Sequence, residues 1–92
     1  VFVNNFANHL FALGADIVEE EGMRYDILKP LIRETADKAT SVDEPEKVQT
    51  GPAVRGDVAV MQSHIDSLAN NPDLQALYAQ ISKMISELKI KD

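Results

Sequence analysis

Two short stretches hold the residue types and spacings that could do chemistry. The first is Asn4, Asn5, Asn8 and His9, set in an otherwise apolar opening segment. Asn5 and His9 stand four apart, as do Asn4 and Asn8, so on a helix each pair shares a face. Asparagine has low helix propensity and needs hydrogen-bond partners where it is buried. In a cleft such a group could hold a ligand's carboxylate or primary amide, with His9 a hydrogen-bonding residue rather than a proton shuttle. The plainer reading is that these side chains pair with a neighbour's backbone or face solvent.

The second stretch is Gln49-Thr50-Gly51-Pro52-Ala53-Val54-Arg55-Gly56-Asp57. Two glycines let the backbone come close to whatever it faces, and Thr50, Arg55 and a following helix start supply donors for an anion. Against this stands a rigid interhelical loop in which Arg55 pairs with Asp57 or caps a helix. The embedded Arg55-Gly56-Asp57 tripeptide is too short to indicate cell-adhesion binding. His64, alone on an apolar helix face, reads as a satisfied core residue, and the acidic run Glu19-Glu20-Glu21 reads as a solvated helix end. No Ser-His-Asp order, no HExxH and no glycine-rich phosphate loop is present, so no self-sufficient catalytic centre is legible.

The elements that must position these residues are helical. Val3, Phe6, Leu10, Leu13 and Ile17 recur at three- and four-residue steps, predicting a helix from Val3 to Glu20 that Gly22 ends. Phe2, Ala7, Phe11, Gly14 and Val18 widen its apolar face, so burial on more than one side is expected. A second helix is predicted from an Asp26 cap to about Ala39, its inner face Ile27, Leu28, Leu31, Ile32, Thr35, Ala36 and Ala39, with Pro30 early in it. The link GMRY would make these two helices antiparallel or steeply crossed neighbours. Residues 41–54 carry two prolines and a glycine without sustained period, predicting a loop with short helical turns at most. A third helix is predicted from Gly56 or Asp57 to Leu68, with Asp57 as cap and Val60, Met61, His64, Ile65 and Leu68 on one face. Asn71 and Pro72 form an N-cap and first-turn pair for a fourth helix carrying Leu74, Leu77, Tyr78, Ile81, Met84, Ile85 and Leu88. The terminal KIKD is expected to fray. No strand-like alternation occurs. The expected fold is all-α: a compact bundle of about four helices in a single domain, residues 1–92.

Composition narrows the function. The 92 residues carry a net charge of −6 and no basic stripe, which disfavours nucleic-acid binding. With two Tyr, three Phe and no Trp, a stacking platform for bases or sugars is not expected. There is no Cys, so no disulfide framework or thiolate metal site, which fits a cytoplasmic setting. His9 and His64 match no zinc spacing. No apolar run approaches the ~20 residues needed to cross a bilayer. The chain opens on Val1 rather than Met, inside what reads as a helix, as expected of a piece of a longer protein.

The pairing of NNFANHLFALGADIVEEEG (residues 4–22) with QTGPAVRGD (residues 49–57) resembles the C-terminal helical domain of a bacterial family of Rossmann-type oxidoreductases. That family is similar to pyrroline-5-carboxylate reductase, the deazaflavin-dependent NADP oxidoreductases and the 6-phosphogluconate dehydrogenase C-terminal-like group. The resemblance spans essentially the whole chain, and the Thr50-Gly51-Pro52-x-x-Arg55-Gly56-Asp57 segment is its most specific part. It implies a division of labour: an N-terminal Rossmann domain holds NADP, while the helical domain closes the substrate cleft and makes a homodimer. No G-x-G-x-x-G/A occurs here, so the nucleotide domain is expected upstream in the parent protein and no cofactor is expected on this chain alone. By the resemblance Asn5, His9, Thr50, Gly51, Pro52 and Arg55 face a cleft for a small molecule of undefined identity. The competing expectation is a stand-alone helical module that binds another protein's helix in an apolar groove.

Overall fold

Regular apolar spacing and a glycine stop make the opening segment a helix of 19 residues, α1 (Phe2–Glu20). Its end is set by Gly22, whose φ of 80° lies in the left-handed region open to glycine. The Gly22 N–H donates to the Glu19 carbonyl at 3.0 Å and the Met23 N–H to the Val18 carbonyl at 2.8 Å, the bond pair of a Schellman stop. The computed structural model describes residues 1–88; the terminal KIKD lies outside the described residues.

A 3₁₀ turn, Tyr25–Leu28, follows before α2 (Lys29–Thr40). This corrects the expected Asp26 cap. Asp26 sits inside the 3₁₀ turn, the residue preceding α2 is Leu28, and no side chain caps that helix. The Asp26 carboxylate is spent instead on Lys29 at 2.8 Å and Arg24 at 3.1 Å. Pro30 falls in the first turn of α2, where its missing N–H has no intrahelical acceptor to lose.

The chain divides into two units, residues 1–43 and 44–92. In the first, α1 and α2 each pack against the 3₁₀ turn between them. Leu28 lies so near Gly14 that a Cβ there would meet its Cδ1 at 3.3 Å. Val18 is the one buried apolar residue of this unit among the described residues. Of the expected α2 face, Leu28, Ile32 and Ala39 are half-buried, while Ile27, Leu31, Thr35 and Ala36 are exposed.

The second unit holds a 3₁₀ turn (Pro45–Val48), α3 (Pro52–Arg55), α4 (Val58–Ser67) and α5 (Pro72–Ser86). The segment expected as loop therefore contains two short helical pieces, each opened by a proline. Ala53 is 5% exposed, and α3 packs on both α4 and α5 around it. Both caps expected here are present. Asp57 accepts from the Val60 N–H at 3.2 Å and Asn71 from the Leu74 N–H at 3.2 Å. The Gln75 side-chain amide donates to the Ile65 carbonyl at 2.7 Å, tying α5 to the end of α4. All described regular structure is helical, and no described helix is long and apolar enough to cross a membrane.

The Lys29 hydrogen bond and charge hold the Asp26 carboxyl below the usual carboxylate range, with Arg24 adding to the effect and desolvation opposing it. A depressed folded-state pKa contributes stability that is fully present above the unfolded value of about 3.9 and lost as pH falls through the folded value. Both partners are solvated, so the contribution is small and salt-sensitive. Denaturation at pH 7 and pH 3 should show wild type losing slightly more stability than Asp26→Asn in low salt. Equal losses, or a difference unchanged by 1 M salt, would show that the ion pair adds nothing.

Candidate functional site

The Thr50–Asp57 segment is built largely from backbone punctuation. Gly51 takes φ 103°, ψ 173°, a conformation essentially confined to glycine, and turns the chain into α3. Pro52 occupies the first turn of that helix. Gly56, at φ 68° and ψ 26°, ends it with the same bonding as Gly22. Its N–H donates to Ala53 at 3.2 Å and the Asp57 N–H donates to Pro52 at 2.9 Å. Asp57 then caps α4. The glycine, proline and aspartate of this segment thus have a structural account.

Two side chains are left over. Thr50 is exposed, and its hydroxyl makes no hydrogen bond among the described residues. Arg55 is exposed and forms no ion pair within 4.0 Å among them, although the chain carries a net charge of −6. Its expected structural partner, Asp57, is engaged with the Val60 N–H. An exposed guanidinium without an ion-pair partner among the described residues is suited to a planar anion such as a carboxylate or phosphate. The positions where Cβ atoms would stand on Gly51 and Gly56 have nothing within 4 Å, so approach to this backbone is open.

In α1, Asn5 and His9 lie about 40° apart around the helix at 100° per residue, so they do share a face. Both are exposed, and neither side chain is hydrogen-bonded among the described residues. Asn4 and Asn8 are exposed as well. The six expected site residues form two sets, one in each unit: Asn5 with His9, and Thr50 through Arg55.

One pairing escaped the sequence reading. His64 Nδ1 lies 2.7 Å from the Tyr78 hydroxyl, and the rings meet edge to face at 5.6 Å. With its proton on Nε2, the imidazole accepts from the phenol and fastens α4 to α5; the expected hydrogen-bond partner is there, but His64 is exposed and not the core residue expected. The signal is present in the sequence, where both residues fall on the apolar stripes of successive helices. Near this pair an open groove of about 290 Å³ runs between α4 and α5, floored by Met61, Ile65 and Ala79 and edged by Ser82 and Lys83. It includes none of the expected site residues. Among the described residues no His, Cys, Asp and Glu cluster is arranged to hold a metal ion.

Residues 1–85 match the family model for a domain of unknown function, DUF2520. The chain belongs to the DUF2520 family. Among solved structures, it is similar to one from Bacteroides fragilis described as a "putative NADP oxidoreductase". The two share 41% sequence identity with a TM-score of 0.90 over 96% of this chain. The match spans 34% of that protein's chain, so the DUF2520 domain described here is about a third of its length. No curated protein matches. The relationship is therefore to an NADP-oxidoreductase-like family, and an all-helical domain is its shared part.

The sequence has no G-x-G-x-x-G/A, and the described residues include no strand from which such a turn could open.

Proposed function

We propose that this domain is the substrate-binding and dimerising part of an NADP-dependent oxidoreductase, with the cofactor held by an upstream domain of the parent protein. The observation that carries the reading is Arg55, an unpaired guanidinium in an acidic chain, placed on the most specific segment of the family resemblance. The similarity to the Bacteroides fragilis protein supports the reaction class, and its greater length supports a further domain. Within this division of labour, Arg55 and Thr50 of the second unit bind an anionic group of the substrate, while Asn5 and His9 of the first unit offer hydrogen-bonding groups of their own. Gly51 and Pro52 hold the backbone that presents them. The reading assigns the redox chemistry to the cofactor-holding domain of the parent protein.

The test is NADPH binding, followed by the cofactor's own fluorescence, in the complete parent protein and in this domain alone. The complete protein should bind NADPH and the isolated domain should not. A complete protein that fails to bind NADPH would overturn the oxidoreductase reading. Binding by the isolated domain would overturn the assignment of the cofactor to another domain.

A further inference from the structure

The least explained surface of the molecule is on α1. Around this helix the buried Val18 and the half-buried Ala7, Phe11, Gly14 and Ala15 form one face. A second apolar stripe lies about 110° away at 100° per residue. Its members Phe2, Val3, Phe6, Leu10 and Ile17 are 69%, 70%, 62%, 44% and 40% exposed, and Leu13 of the same stripe is half-buried. The expectation that α1 is buried on more than one side is therefore met along one face and, on the second, only in part at Leu13. Exposure is greatest at Phe2, Val3 and Phe6 and lower from Leu10 onward, so the bare region lies in the N-terminal half of the helix, around Phe6. The Phe2 and Phe6 rings lie 4.6 Å apart and touch each other across one helical turn.

Taking full side-chain areas of the order of 150–250 Å² for the aromatic members and somewhat less for the others, the stripe exposes roughly 500 Å². That is at the upper end of the ~300–600 Å² patch found on ordinary monomers. It also amounts to most of the ~800 Å² that each partner contributes to a standard interface.

Charge decides what kind of partner fits. From Val1 to Ala15 the chain has no Asp, Glu, Lys or Arg, whereas Asp16, Glu19, Glu20 and Glu21 crowd the other end of the helix. Two parallel copies, with axes ~8–10 Å apart, would set these four carboxylates beside their own counterparts. An antiparallel pair crossing at Phe6 avoids this. Glu19 is 13 residues from the crossing, about 20 Å along the axis, so the two Glu19 side chains stand about 40 Å apart. That is several times the ~8–10 Å screening length of physiological salt. The uncharged halves then cover each other, with Phe2 of one copy opposite Leu10 of the other.

We infer that the DUF2520 domain self-associates through an antiparallel pairing of α1 with α1 of a second copy, about a two-fold axis near Phe6. The inference rests on the dimerisation reading above and specifies its surface and geometry. Asn5 and His9 flank the stripe on its polar side, so the pairing sets two of the proposed substrate-facing residues at the rim of the seam.

The lack of cysteine makes the test clean. Light scattering of the protein should give twice the 10.2 kDa monomer mass. Phe6→Asp, at an exposed position, should keep its helical circular dichroism and raise the dimer dissociation constant at least about a hundredfold. Under oxidation Phe6→Cys should cross-link to itself and Ile17→Cys should not. A wild-type monomer at high concentration overturns both this inference and the dimerisation reading. A dimer indifferent to Phe6→Asp, or one in which Ile17→Cys cross-links as well as Phe6→Cys, overturns the antiparallel α1 geometry and leaves dimerisation standing. Neither result bears on NADPH binding, which tests the oxidoreductase reading separately.

Discussion

Replacing Gly51 by alanine should lower the melting temperature by about 10 °C, more than any other single methyl addition to the second unit. The residue adopts φ 103° with ψ 173°, where an L side chain collides with its own backbone. A non-glycine residue held there costs roughly 1–3 kcal/mol, partly offset by the lower entropy of the unfolded alanine chain. For a domain of this size each kcal/mol corresponds to roughly 4–8 °C. Nothing lies within 4 Å of the added Cβ, so the penalty is one of backbone conformation and not of crowding. Gly56→Ala makes an internal control. Its φ of 68° and ψ of 26° lie in the left-handed helical well, which other residues reach at lower cost, and Gly56→Asn should be milder still. Thermal denaturation by circular dichroism measures all three. If Gly51→Ala melted within 2 °C of wild type, the turn into α3 would not require this conformation, and Gly51 would become a candidate for direct ligand contact.

The second large effect concerns binding. Assayed in the complete parent protein, Arg55→Ala should raise the apparent KM for the substrate about ten- to a hundredfold. A charge-assisted hydrogen bond contributes about 1.5–3 kcal/mol, and each 1.4 kcal/mol is a factor of ten. The same substitution should move the melting temperature by less than about 3 °C, because Arg55 is exposed and makes no ion pair among the described residues. Arg55→Lys should recover part of the affinity, since an ammonium keeps the charge and loses the two-pronged geometry. Unchanged kinetics together with a lowered melting temperature would make Arg55 a structural residue of the α3 stop. The split between KM and stability separates the two roles.

These predictions share an origin in one segment, and they show how the Thr50–Asp57 pattern divides. It resembles a binding motif, yet Gly51, Pro52, Gly56 and Asp57 are accounted for as a turn, a helix start, a helix stop and a helix cap. Only Thr50 and Arg55 carry side chains the fold leaves unused. A segment that reads as a binding motif can thus be mostly backbone grammar with one or two functional groups mounted on it.

The helices were legible because their signals are local. Apolar spacing marked α1, α4 and α5, and the caps at Asp57 and Asn71 formed because each side chain reaches an N–H only three residues away. Gly22 ended α1 for an equally local reason, its access to positive φ. The tertiary structure decided what such signals leave open. Asp26 had the sequence of a cap, but Lys29 and Arg24 compete for its carboxylate, and a 3₁₀ turn replaced the first turn of the helix. Periodicity also marked every apolar stripe alike without distinguishing the face that packs from the face that stays bare. On α1, Val18 is covered while Phe6 is open to solvent, though both obey the same spacing. Spacing fixes which residues lie together on a helix; whether they are buried depends on what other surface arrives there, and that is a property of the folded chain and its partners.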